Sequence, residues 1–218
     1  MRLEKASHQA VKYACMTFHY AKAVPTYSIG YSVFENKEWC GVVLFGGGAS
    51  VNMPKKFNLR SGQYLELNRM ALNGKQSCTS KVLSTAIKLI KKECPTIKML
   101  FSYADKGQEH RGIIYQATNW YYIENIESSG TEYLLNGIWK HDRGRYSWKE
   151  DFKKLPKRKK AGKHKYIYPL DKSLLPLCKS LAKAYPKPAA VAHLGERLAS
   201  SQEGAFDATV PLQNLEGI

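Results

Sequence analysis

The sequence predicts a single mixed α/β domain, and three observations carry that expectation. Apolar residues recur at helical spacing in some segments and alternate at strand spacing in others. The two kinds of segment follow one another along the chain instead of clustering in separate halves. With 218 residues at 44% hydrophobic composition, the chain can bury one substantial core, and a second independent domain would have to be small.

Taken in order, Ala10, Val11, Ala14, Cys15 and Phe18 define an opening helix that stops near His19 and Tyr20. Tyr27 to Phe34 and Trp39 to Phe45 read as two strands, and the four polar residues Glu35, Asn36, Lys37 and Glu38 between them signal a hairpin. Gly46, Gly47 and Gly48 open a loop that runs through Ser61 and Gly62. Gln63 to Leu72 alternates as a strand with room for one bulge. Thr79 to Glu93 places Val82, Leu83, Ala86, Ile87 and Ile90 on one helical face, with Thr79 or Ser80 as N-cap and Pro95 past the end. Ile97 to Tyr103 is a strand, Gly112 to Ala117 a short helix, and Trp120 to Ile123 the start of another strand. A strand around Tyr166 to Tyr168 and a helix from Asp171 to Ala184 complete the set. This order resembles the acetyltransferase superfamily, or GNAT, fold, a mixed sheet in which two neighbouring central parallel strands splay around a nucleotide thioester. The catalytic domain is expected over residues 1–184, and the proline- and alanine-containing residues 185–218 read as a flexible tail.

Composition narrows the function. The polar start and the absence of any apolar run near the roughly 20 residues that span a bilayer argue against export or membrane insertion. Five widely spaced cysteines do not suggest a disulfide framework, and there is no CxxC or HExxH zinc motif. A cytoplasmic setting follows. The net charge of +16 favours a polyanionic partner. Lys140 to Lys165 holds twelve basic residues against three acids, so this segment alone supplies +9. Lys153, Lys154, Lys157, Arg158, Lys159, Lys160 and Lys163 are its candidate DNA contacts. Tyr146, Trp148, Phe152, Tyr166 and Tyr168 interleave the charges with faces on which bases can stack. A solvated charge run is the alternative.

Three constellations bear on chemistry. Asn73 to Thr79 joins a strand to a helix start, where Gly74, Lys75, Gln76, Ser77, Cys78 and Thr79 offer free backbone N–H groups to a donor's phosphate. The usual Gly-x-Gly/Ala of a coenzyme A loop is missing, and an ordinary capped helix is the competing account. In Glu66-Leu67-Asn68-Arg69, alternation should turn Glu66 and Asn68 to one face and Leu67 and Arg69 to the other. Arg69 then needs an anion, either a ligand or a structural partner such as Asp105, or must snorkel to water. Asp105 closes the apolar strand ending Ser102-Tyr103-Ala104-Asp105, where open α/β sheets place their ligands; capping the next segment is its alternative role.

Those motifs, in order, carry a specific resemblance. His19-Tyr20, Glu-Leu-x-Arg ending at Arg69, Ser-Tyr-Ala-Asp ending at Asp105, and Gly112-x-Ile-Tyr115-Gln-Ala-Thr-Asn-Trp120 resemble the Mom family of bacteriophage DNA-modification proteins over about residues 10 to 125. The resemblance implies a phage or prophage enzyme of the host cytoplasm that places a carbamoylmethyl-type adduct on the exocyclic N6 of adenine in double-stranded DNA, shielding it from restriction. It also implies iron, with Tyr20 and Asp105 as ligands and His19 as a further one, and acetyl-CoA or a related donor. His19, Tyr20, Arg69, Asp105 and Tyr115 become the candidate catalytic set. An N-alkylated product is not one that simple acyl transfer yields, and a redox-capable metal suits imidazole and carboxylate ligands. Reaching N6 requires an extruded base, hence an aromatic or apolar slot, for which Trp120, Tyr121 and Tyr122 are candidates, although consecutive strand residues cannot all face one side and core packing is the expected fate of at least one. A coenzyme A-dependent acetyltransferase acting on a small amine or protein, and a non-enzymatic DNA-binding protein, are the rival readings.

Overall fold

A computed structural model describes residues 1–48, 52 and 54–187. The expected tail from residue 188 onward lies outside the described residues. One eight-stranded sheet runs in the order β1-β2-β3-β4-β5-β8-β6-β7. Its strands are β1 (Arg2–Lys5), β2 (Ile29–Glu35), β3 (Glu38–Gly46), β4 (Tyr64–Leu72), β5 (Met99–Asp105), β6 (Tyr121–Leu135), β7 (Ile138–His141) and β8 (Lys157–Pro169). The helices are α1 (His8–Thr17), α2 (Thr79–Glu93), α3 (Ile113–Gln116) and α4 (Leu175–Leu181). No helix among the described residues is long and apolar enough to cross a membrane.

Local sequence explains most of these boundaries. Ser7 caps α1 by accepting the Ala10 N–H at 3.1 Å. The helix ends at Thr17, so His19 and Tyr20 lie in the segment that follows it. Asn36 and Lys37 both take positive φ, the backbone of a tight β-hairpin turn joining β2 to β3. The N-cap of α2 is Cys78, without a side-chain cap bond, in place of the expected Thr79 or Ser80. The expected helix from Asp171 to Ala184 is shorter: a turn of 3-10 helix over Lys172–Leu174 precedes α4. Pro176 sits in the first turn of α4, where a missing N–H costs nothing.

The sheet is covered on both faces. On one, Val11, Ala14 and Cys15 of α1 pack on Val42, Leu44 and Ala71. On the other, Val82, Leu83, Ala86, Ile87 and Ile90 of α2 pack on Tyr31, Val43, Phe45, Leu65 and Leu67.

Two features of the pairing shape the site. Leu44 pairs with Arg69 but Phe45 pairs with Leu67, so Asn68 is an extra residue bulged out of β4. The bulge reverses the alternation: Leu67 faces α2 while Ala71, and with it Arg69, faces α1. The expectation that Leu67 and Arg69 share a face is therefore corrected. β4 and β5 are parallel and pair only through Tyr64, Leu65 and Glu66, after which the two strands part.

The far side of the sheet departs most from expectation. β6 and β8 are long, and β5 covers β8 only from Lys163 to Pro169. Lys157 to Gly162 therefore continue with β6 and β7 as an arm beyond the edge of β5, about 20 Å long at strand rise. The basic segment is thus mostly sheet and short turns, not a charge run in coil. Replacing fully buried Leu83 with Ala leaves a cavity under α2. It is expected to lower unfolding stability by about 2–5 kcal/mol in urea titrations.

Candidate active site

Where β4 and β5 part, a pocket of about 230 Å³ opens, lined by His19, Tyr20, Glu66, Asn68, Arg69, Tyr103, Asp105, His110, Ile114, Tyr115 and Lys163, among others. All five candidate catalytic residues lie in it, drawn from four parts of the chain.

The bulge holds one wall. Asn68 Nδ2 donates to the Thr26 carbonyl at 2.8 Å, and the Arg69 guanidinium donates to the Ala23 carbonyl. Consecutive residues of β4 thus tether the segment carrying His19 and Tyr20. Arg69 is not ion-paired with Asp105, and its Nε is buried without a hydrogen-bond partner among the described residues. Its role in the structure is that of an anchor and a fixed positive charge.

Asp105 works at both oxygens. Oδ1 accepts the Gly107 N–H at 2.9 Å, capping the turn Lys106–Gln108, while Oδ2 accepts the Tyr20 hydroxyl at 3.2 Å. The two roles open to Asp105 from sequence, cap and pocket group, coexist. Burial and the adjacent Asp105 carboxylate push the Tyr20 phenol up to about 12, so Tyr20 keeps its proton and holds the carboxylate in place. Burial also raises Tyr115 to about 12; its hydroxyl is hydrogen-bonded to Ser102 at 2.7 Å, and Ser102 in turn to the Leu67 carbonyl at 3.2 Å. That chain seals the floor of the gap between β4 and β5.

His19 stacks on Tyr20 with ring centroids 4.2 Å apart and accepts the Ala21 N–H at Nδ1, which places the proton of the neutral ring on Nε2. Burial, then the charges of Arg69, His110 and Lys22, pull its pKa down to about 4. At neutral pH the pocket therefore presents the neutral His19 imidazole and the protonated phenols of Tyr20 and Tyr115 beside the acids Asp105 and Glu66.

Other candidates lie elsewhere. Asn73 to Thr79 is not part of the pocket lining. There, Gly74 takes φ +83° and the Lys75 N–H donates to Asn73 Oδ1, forming a tight turn. Gln76 Nε2 donates to Thr79, and the Cys78 thiol lies 3.1 Å from Ser80 Oγ, a contact that lowers its pKa. The Ser77 N–H and hydroxyl both donate to Glu35, at 2.6 and 2.7 Å. Of the basic candidates, Lys163 lines the pocket, while Arg158 and Lys160 are ion-paired with Glu132 at 2.9 and 3.6 Å. Lys153, Lys154, Lys157 and Lys159 are exposed, and none of them forms an ion pair with a described residue.

The expected base slot is corrected. Trp120 is fully buried between Tyr115 and Tyr168, Tyr122 packs on Tyr166, and Tyr121 joins the cluster around Phe101 and Ile167, because β6 starts deep in a sheet covered on both faces. Tyr166 is likewise core and not open to stacking, while Tyr168 is half-buried against the same cluster. Tyr103, His110 and Ile114 line the pocket instead. Tyr103 was findable, being two residues before Asp105 on one strand and so on the same face. His110 had no comparable signal: it arrives through a turn closed by its N–H on the Asp105 carbonyl at 3.0 Å.

The parting parallel strands and the pocket between them define an acetyltransferase-type fold. A putative phosphinothricin N-acetyltransferase superposes with a TM-score of 0.50 over 78% of this chain and 99% of its own, at 10% identity, a likeness of fold. An IAA acetyltransferase from Bacillus cereus covers 77% of this chain and 98% of its own, with a TM-score of 0.47 and 10% identity. The model of the Mom protein family matches residues 1–187, and the chain belongs to that family. The methylcarbamoylase Mom of Escherichia phage Mu is 30% identical over 147 residues, covering 65% of this chain and 60% of that protein.

The low pKa of His19 has a sign. Unfolded histidine binds a proton near 6.5 and the folded residue only near 4. The stability it contributes is therefore complete above about pH 6.5 and is lost progressively as pH falls to about 4. An NMR titration should place His19 near 4, and His19→Asn should flatten the fall in urea midpoint between pH 7 and pH 5.

Proposed function

We propose that this chain is a DNA-modifying transferase that alters the exocyclic N6 of adenine, leaving a carbamoylmethyl-type adduct that protects phage or prophage DNA from restriction in the host cytoplasm. The observation that carries the reading is the Tyr20–Asp105 pair, joined at 3.2 Å across a pocket in a chain matched to the Mom family over residues 1–187. N6 is conjugated with its ring and is a poor nucleophile, so bonding through it calls for a group that removes its proton. Asp105 is that base, held at Oδ1 by a backbone N–H and at Oδ2 by a tyrosine that keeps its own proton. Neutral His19 offers Nε2–H toward substrate, Tyr115 closes the floor, and burial, aided by the Arg69 charge, keeps His19 neutral.

Iron, implied by the family resemblance, would be held by the Asp105 carboxylate and by Tyr20 once its phenol gives up the proton it now donates to Asp105, with His19 nearby. Bound there, it would supply redox chemistry that simple acyl transfer lacks. Among the described residues, no three His, Cys, Asp or Glu side chains gather to hold a metal on their own. A nucleotide-type donor such as acetyl-CoA would place its phosphate at Gly74 to Thr79; an acetyl group supplies two carbons of a carbamoylmethyl adduct, and its nitrogen has to come from a second, amine- or amide-bearing reactant. Duplex DNA lies along the arm, where Lys157 and Lys159 meet phosphates, Lys153 and Lys154 extend the contact, and Lys163 leads into the pocket. Arg158 and Lys160 join them through the charge not spent on Glu132.

Mass spectrometry of nucleosides from plasmid DNA of expressing cells should show a mass-shifted deoxyadenosine with the wild type. Asp105→Asn is expected to lower its amount by about 10²–10⁴-fold. Unmodified deoxyadenosine in every sample, with folded protein present, would sink the proposal. Lys157→Gln combined with Lys159→Gln should reduce the slope of log affinity against log salt by about 2, whatever the DNA sequence.

A further inference from the structure

Ile113 stands beside the pocket in a position that packing does not explain. It is 74% exposed, while its neighbour Ile114 packs against the core. A lone apolar residue on a surface is ordinary, so exposure by itself means little. Three other observations single it out.

The backbone that presents it is rigid. Gly112 takes φ +75°, and a Cβ there would lie 2.5 Å from the Tyr166 ring. Tyr166 is fully buried, and its hydroxyl donates to the Arg111 carbonyl. Ile113 therefore leaves a corner that only glycine can make and that a core tyrosine clamps.

Next to it lies a second cavity, of about 270 Å³, lined by Tyr103, His110, Arg111, Ile113, Ile114 and Tyr115 among others. It shares Tyr103, His110, Ile114 and Tyr115 with the Asp105 pocket, so a ring placed in it reaches the same walls. The surroundings are cationic. Arg111 is in the lining, and the Lys163 ammonium lies 5.6 Å from the Tyr103 ring, whereas Lys165, 6.0 Å from that ring, is ion-paired with Glu124. Glu109 is the acid of the lining.

Proteins that open a base stack insert an apolar side chain between steps, and enzymes acting on a base draw it into a snug pocket. We propose that Ile113 is the wedge that enters the DNA stack, and that the cavity between Tyr103 and Tyr115 receives the displaced adenine. The inference rests on the adenine-modification reading above. Isoleucine replaces the lost stacking with apolar contact. Arg111 and Lys163 hold the flanking phosphates, and Tyr103 offers a face to the displaced ring on its way to Asp105.

The test uses the full chain and duplexes carrying 2-aminopurine, a fluorescent adenine isomer, at successive adenine positions, opposite either thymine or an abasic site. Wild type should raise the fluorescence of both. Ile113→Ala should cut the rise about tenfold for the paired base and within about twofold for the base opposite the abasic site, where the opening cost is already met. Ile113→Phe should retain both. An Ile113→Ala protein that opens the paired duplex like wild type overturns the wedge, as does an equal loss on both duplexes. Nucleoside mass spectrometry separates the two readings. Modified deoxyadenosine from the wild type, with either of those Ile113→Ala results, leaves the adenine reading standing without the wedge, whereas unmodified deoxyadenosine from the wild type removes both.

Discussion

The pocket depends on a single extra residue. By inserting Asn68 into β4, the bulge turns Arg69 toward α1 while Leu67 stays under α2, and it lets two successive side chains reach the carbonyls of Thr26 and Ala23. Those bonds hold the segment that brings Tyr20 to Asp105. A regular strand would send Asn68 and Arg69 to opposite faces and leave that segment with one tether at most. The arrangement is not optimised for stability. Asn68 Oδ1 and Arg69 Nε are both buried without partners among the described residues, a state that costs about 1–3 kcal/mol for each such group. Sequences that break local rules in this way tend to do so at sites where position matters more than stability.

Much of the frame was legible before the structure. The hairpin between β2 and β3, the face of α2 and the acid at the end of β5 follow from turn chemistry, helical period and strand alternation, and each stands where those rules put it. What was illegible had physical causes. The four-residue β1 is polar and pairs at an edge, so it carries no periodic signal. The facing of Arg69 depended on where the bulge fell, which a strand period does not reveal. Trp120 to Tyr122 looked like a slot because aromatic residues suit both cores and binding sites, and burial between two covered faces decided the matter. β6 and β8 hid their length because alternating lysines on an arm read as a charge run when their partner strand is far away in sequence.

The arm also shows how pairing sorts charges of one sign. Along β8, Arg158 and Lys160 lie on the face that meets Glu132, whereas Lys157, Lys159 and Lys163 lie on the other and pair with no described acid. One carboxylate thus quiets one face and leaves the opposite one charged. The effect of these pairs, whose cations reach solvent while Glu132 is largely covered, is to give the arm a polarity across its width.

The Glu35–Ser77 contact has a consequence of a different kind. Glu35 sits at the end of β2, and the fold fixes it over the start of α2, so its carboxylate never has to diffuse to that position. A group tethered in this way acts at an effective concentration of about millimolar or more. Any free anion approaching the same N–H and hydroxyl must compete with one that is always present. A free anion approaching the start of α2 would therefore meet two donors already engaged by a carboxylate of the same chain.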